Sequence, residues 1–137
     1  MIRQYEFGDV LALGEQKEET PFLQDEDLME HENITWTYMD GNKVVAIIGV
    51  VKMWSGVGQC FAMTRKHYHK GVGYTRGTIR KMDDAMKVME LSRMQTYVRA
   101  DRPDFRRWAE LLGMDCEGLM RKSSPDGGDM YLYARVD

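Results

Sequence analysis

Of the 137 residues only two are cysteine and three are proline. Cys60 and Cys116 are too few for a disulfide framework and show no Cys-x-x-Cys spacing. A reducing cytoplasm is therefore the expected compartment. The longest apolar run, Val44 to Val51, stops at Lys52, far short of the roughly 18 residues that a membrane span requires. A membrane is not expected as a partner. The opening residues Met1 to Glu6 carry no apolar signal core, which argues against secretion. There is no internal repeat, no low-complexity stretch and no linker rich in Pro, Gly and Ser. Gly-Lys-Ser/Thr is also missing, which excludes a nucleoside-triphosphate loop.

Apolar residues make up 43% of the chain and charged residues 30%, the balance of a globular protein. The length suits one domain over residues 1–137. A net charge of −3 conceals a division. Residues 1–32 hold ten acids against Arg3 and Lys17, whereas residues 65–107 hold twelve Lys or Arg against five acids. The basic block suits either a solvated helix face or a phosphate ligand. Its aromatics do not alternate with its charges as in nucleic-acid modules, so nucleic acid is not an expected partner. Twelve methionines fill irregular cores without specifying chemistry.

Hydrophobic periodicity orders the elements. Ile2 to Tyr5 reads as a strand and Phe7 to Lys17 as a helix. Glu18 to Glu32, with Pro21, reads as a loop containing a short helix near Asp25 to Met29. Asn33 to Met39 alternates and is rich in β-branched and aromatic residues, as strands are. Asp40-Gly41-Asn42 turns it into Lys43 to Met53, apolar enough to be buried on both faces. Ser55-Gly56 leads to a third strand, Val57 to Met63. After Lys70-Gly71-Val72-Gly73, the residues Ile79, Met82, Met86 and Met89 form one stripe of an amphipathic helix. Met94 to Arg99 is the next strand. Pro103 opens a helix with the stripe Phe105, Trp108, Ala109 and Leu112, which Gly113 stops. Met114 to Lys122 and Met130 to Val136 close the chain. The order β-α-β-β-β-α-β-α-β-β predicts an α+β fold, a mixed and mostly antiparallel sheet covered by helices.

The segment Phe61 to Arg80 carries the most chemistry. A strand, a Gly-x-Gly loop and a helix start bring bare backbone and unpaired first-turn amides together, which suits a phosphate or pyrophosphate. Lys70, Arg76 and Arg80 add positive charge. A tight turn would use the same glycines. The dinucleotide fingerprint fails, because Gly71-Val72-Gly73-Tyr74-Thr75-Arg76-Gly77 misses its spacing by one residue. His67 and His69 share one side of an extended segment near Cys60, but four ligands at zinc spacing are missing and no metal is expected. Cys60 as a nucleophile would need a base and a lowered pKa.

These features together resemble the GNAT superfamily of acetyl-CoA-dependent acyltransferases. The resemblance runs through Ile2-Arg3, the hairpin around Asp40-Gly41-Asn42, and the loop His69-Lys70-Gly71-Val72-Gly73 with its helix. It continues through Arg106-Arg107-Trp108-Ala109-Glu110-Leu111-Leu112-Gly113-Met114. With Glu117-Gly118 and Tyr131-Leu132-Tyr133, it looks most like the small GNAT-like proteins of tailed bacteriophages. The resemblance implies acetyl transfer from acetyl-CoA to an amine, on a small molecule or a protein. Phe61, Ala62 and Met63 would offer backbone groups to pantetheine, and Lys70, Gly71, Val72, Gly73 and Tyr74, helped by Arg76, would hold the pyrophosphate. Two positions depart from the family. Tyr68 stands where an arginine or glutamine opens the pyrophosphate motif, and Ala109 stands where a tyrosine protonates the leaving thiolate. Tyr97, Tyr131 and Tyr133 are the candidates for a substitute acid, and Glu30, Glu32 and Asp101 for a base, although packing in the sheet or a place on the surface would equally account for them. The other reading is a catalytically inactive phage protein that binds a phage or host protein or is built into the virion. A second copy of the chain is a further candidate partner.

Overall fold

The computed structural model describes residues 1–14, 17–19, 24–66 and 68–137. In order they form β1 (Ile2–Gln4), α1 (Asp9–Leu13), β2 (Lys17–Glu19), α2 (Asp25–Glu30), β3 (Asn33–Asp40), β4 (Lys43–Trp54), β5 (Val57–Arg65), α3 (Val72–Val88), β6 (Arg93–Arg99), α4 (Pro103–Leu111), β7 (Asp115–Met120) and β8 (Met130–Val136). Seven strands lie in the order β1-β3-β4-β5-β6-β8-β7, and β2 joins the far end of β5. Every neighbouring pair is antiparallel except β5 and β6. The expected mixed sheet covered by helices is the architecture found.

The acidic N-terminal region departs most from the sequence reading. The helix expected to reach Lys17 ends at Leu13, because Gly14 takes a positive φ of 96° that a helix cannot continue. Lys17–Glu19, expected in helix and loop, pairs as a strand with Arg65–Met63. Pro21 and His67 lie outside the described residues. The short helix expected near Asp25 is α2.

Burial follows periodicity. β4 is buried continuously from Val44 to Val50, with helices over both of its faces. On one face Val10, Leu13 and Leu28 of α1 and α2 pack on Ile47, Phe61 and Met63. On the other face Met82, Met86, Phe105, Ala109 and Leu112 of the α3–α4 layer pack on Val50, Met94, Val98 and Tyr133. Gly49 is small for a reason of contact. A Cβ there would stand 2.6 Å from Cζ of Phe61 and 2.7 Å from Oγ1 of Thr35.

Two buried carboxylates fasten the first helices. Asp9, 5% exposed, accepts both guanidinium nitrogens of Arg3 at 2.9 Å, the Thr37 hydroxyl at 2.7 Å and the Glu6 amide at 2.8 Å. Asp25, equally buried, accepts the Tyr5 hydroxyl and the amides of Gly8, Val10 and Leu11. It thereby caps α1 from α2. Burial alone would push the Asp9 carboxyl up, but Arg3, the Glu6 amide and the Thr37 hydroxyl together hold it below its ordinary 3.8.

Asp9→Asn should therefore cost about 2 kcal/mol near neutral pH, as hydrogen bonds to a charged group do. The native carboxylate ionises more readily than the unfolded one. Its contribution is complete above about pH 4 and is lost as pH falls through the folded pKa. Urea titrations of the two proteins should differ at pH 7 and converge in acid. Gly49→Ala should cost about 1–3 kcal/mol by overpacking, read from the same titrations.

Candidate active site

β5 and β6 start together and then part. The Gly56 carbonyl accepts the amides of Ser92 and Arg93 at 2.9 and 3.1 Å, pinning the start of β6 to the turn before β5. Parallel pairing follows over only three positions, Val57–Gln59 with Arg93–Gln95. β5 continues to Arg65 and β6 to Arg99 without pairing further, so a wedge opens between them. At its narrow end the Thr96 hydroxyl donates to the Cys60 carbonyl at 3.0 Å. Alternate residues of a strand direct their peptide groups to opposite edges. Cys60 faces β6, so Ala62 and Thr64 face the same way while Phe61 and Met63 turn toward β4, opposite Gly49 and Ile47. Thr64 lies opposite Glu18 of β2. Of the three positions expected to offer backbone groups, Ala62 is the one whose peptide faces the wedge, between the Thr96 link and β2.

The chain then turns into α3. The glycine loop was expected to run through Gly73, but helix begins at Val72, with Gly71 as its N-terminal cap. Among the described residues no side chain caps this end, and its first turn holds no acid. The amides of Val72 and Gly73, in the first turn, belong to the set that lacks intrahelical partners. A Cβ at Gly71 or Gly73 would meet nothing within 4 Å, so bare backbone faces open space here. The Tyr74 ring points inward, 5.3 Å from Trp108 in a stacked arrangement, and Tyr68 meets it edge-on at 5.6 Å. Tyr74 is therefore a core residue by its ring, buried against Trp108 and Tyr68. Burial raises the Tyr68 phenol. The Lys70 ammonium lies 4.7 Å from the Phe105 ring centre and 5.1 Å from that of Trp108, close to the start of α3. Arg76 and Arg80 are exposed on the same helix.

α4 completes the enclosure. Trp108 Nε1 donates to the Thr75 hydroxyl at 3.2 Å, which fixes α4 to the first turn of α3. Between these helices and the wedge lies a cavity of about 80 Å³. Cys60, Ala62, Met82, Phe105, Trp108 and Ala109 are on its wall. Phe61 reaches it as well, and Met63 does not. Trp108 thus borders the cavity and anchors the helix start. Neither the Thr96 link nor the Trp108–Thr75 link is marked in the sequence, since both pair side chains brought together only by the sheet and the helix layer.

The expected acids and bases separate clearly. Tyr97 is the only tyrosine on the cavity wall among the described residues, and it is 41% exposed. Tyr133 is fully buried, receiving Arg106 Nε at 3.2 Å, and Tyr131 lies under the Arg106 guanidinium at 3.9 Å. Ala109, 4% exposed, presents only a methyl group. Asp101 pairs with Arg99 at 3.0 Å and is held below its ordinary range by that hydrogen bond. Glu32 lies 3.9 Å from Lys52, and Glu30 is exposed at the end of α2. None of the three carboxylates borders the cavity. Cys60 does, but burial pushes its thiol up to about 12. It stays protonated at neutral pH, which makes it a poor nucleophile. Among the described residues no three His, Cys, Asp or Glu side chains converge as a metal site.

No family model and no curated protein sequence matches the chain. Solved structures do. A spermidine N-acetyltransferase SpeG chimera from Vibrio cholerae and hSSAT is similar at 15% identity and a TM-score of 0.75, over 99% of this chain and 94% of that one. An acetyltransferase of the GNAT family from Streptococcus pneumoniae is similar at 17% identity and a TM-score of 0.76, over 99% and 98%. A GNAT-family acetyltransferase from Bacillus anthracis is similar at 22% identity and a TM-score of 0.72, over 98% and 93%. Likeness at such identities speaks to architecture, since chemistry resides in sites rather than folds. The chain has the fold of the GNAT acetyltransferases.

Proposed function

We propose that this protein binds acetyl-CoA or a related coenzyme A thioester and transfers the acyl group to an amine. The observation that carries the reading is the wedge. Parallel strands that pair over three residues and then part expose the Ala62 peptide beside a cavity, next to a helix start made of bare backbone. The residues present fit such a cofactor. The amides of Val72 and Gly73, aided by the helix dipole, suit a diphosphate. Lys70 supplies positive charge beside them, and Arg76 and Arg80 lie farther along the helix. Ala62 suits an amide of the pantetheine arm.

When bound, coenzyme A supplies an acyl carbonyl activated by a thiol leaving group. Transfer forms a C–N bond and breaks a C–S bond, while one proton leaves nitrogen and one reaches sulfur. Tyr97 is the only tyrosine among the described residues that borders the cavity, and its hydroxyl is the one we assign to the departing sulfur. Ala109 cannot perform that step. Asp101 and Glu32 are paired with Arg99 and Lys52 and do not line the cavity, so no assigned carboxylate takes the proton from nitrogen.

The methyl at Ala109 and the packed Tyr68 favour a second reading, a phage-encoded protein that keeps the cofactor cleft and acts by binding a phage or host protein. Calorimetry with coenzyme A and acetyl transfer to a panel of amines separate the two. Binding with turnover supports the first, and binding without turnover supports the second.

Gly73→Asp tests the cradle. An acid in the first turn of a helix is favourable, and its side chain would enter open space. The melting temperature should hold or rise, while affinity for coenzyme A should fall at least tenfold by charge repulsion. Loss of stability, or undiminished binding, would remove the cradle. Tyr97→Phe should lower turnover about 100-fold, the lower range for a general acid, with coenzyme A affinity changed less than twofold by calorimetry.

A further inference from the structure

We infer that the α3–α4 end of the cavity is an acyl-chain pocket, and that the favoured donor carries a straight chain of about four carbons rather than acetyl. The inference rests on the coenzyme A reading and narrows its substrate class.

The cavity wall is divided. At the wedge it offers a peptide group, that of Ala62. Toward the helices it offers Met82, Val98, Phe105, Ala109, Leu112 and Met114. Several polar groups of the wall are already engaged. The Thr78 hydroxyl donates to the Tyr74 carbonyl at 2.8 Å, the Thr96 hydroxyl to Cys60, and the Trp108 ring nitrogen to Thr75. Lys81 lies over the Trp36 ring at 5.6 Å, and Arg99 pairs with Asp101 and Asp126. The amides of a pantetheine arm need polar partners, and the side chains of Met82, Phe105, Ala109, Leu112 and Met114 offer none. Hydrocarbon needs none.

Space agrees with chemistry. The α4 residues facing the cavity are Phe105, Trp108, Ala109 and Leu112, and Ala109 is the only small one. A bulky side chain there would take the room that its methyl leaves. The cavity of about 80 Å³ holds two or three groups of roughly 30 Å³, the share of one water molecule. An acetyl methyl would leave most of that space empty, whereas two further methylenes would fill it. Met82 and Met114 can adjust around a chain, since thioether side chains are soft and have several rotatable bonds.

The test is calorimetry on the full chain with coenzyme A and its acetyl, butyryl and octanoyl thioesters. Affinity should rise about fourfold per added methylene from acetyl to butyryl, and octanoyl should gain nothing further. Ala109→Leu and Ala109→Phe should flatten the series by filling the pocket, with thermal melts showing that each variant is folded. Ala109→Ser, nearly unchanged in volume, should preserve the rise, and its loss there would count against the pocket. Equal affinity for the acetyl and butyryl thioesters overturns the acyl pocket and leaves the cofactor reading standing. Failure of coenzyme A and every thioester to bind overturns both.

Discussion

The candidate site depends on one incomplete pairing. Gly56 holds the start of β6 beside β5, and three residues on each strand pair in parallel before the strands part. A sheet normally satisfies each peptide group with the next strand. Here the opening leaves the Ala62 peptide facing a cavity, and the Thr96 hydroxyl satisfies the Cys60 carbonyl at the point where backbone partners run out. If pairing continued for four more residues, the cavity would close and the start of α3 would face a sealed sheet.

The helix layer makes the opening usable. Trp108 is bonded to Thr75 and stacked on Tyr74, so α4 and the first turn of α3 are held as one piece. The Lys70 ammonium over Phe105 and Trp108 places a positive charge at the same corner. At the other end of α3, Arg135 reaches Asp83 at 2.6 Å and ties the helix to β8. The helices pack tightly where the sheet is complete. At Gly77, a Cβ would stand 2.5 Å from the Tyr38 hydroxyl. The cavity beside Ala62 lies where the strands part. The acidic N-terminal region is fastened separately, through Asp9 and Asp25, to the opposite face of the sheet.

Legibility in the sequence followed the strength of local signals. The hairpin at Gly41, the continuous burial of β4, the methionine stripe of α3 and the Gly113 stop of α4 each have a local cause, and each is found. The acidic stretch carried no clean period. Its charges suggested a loop, yet β2 forms because the outer end of β5 offers an edge to pair with. At the site, Gly71 and Gly73 were legible as bare backbone beside a helix start. The division among Phe61, Ala62 and Met63 was not, because it depends on which edge of β5 each peptide group faces. Among the tyrosines, alternation alone could not distinguish Tyr97 at the cavity from Tyr133 sealed under Arg106.

The sequence by itself determined the order of elements, the faces that must be buried, and the one place where glycine, positive charge and a helix start coincide. All three are written in period and local conformational preference over a few neighbouring residues. Only the tertiary structure decided where β5 and β6 part, what Cys60 and Thr96 do for each other, and that a methyl at Ala109 borders open space. Those facts concern residues distant along the chain, and strand register and helix packing fix them by satisfying peptide groups and filling volume across the whole sheet.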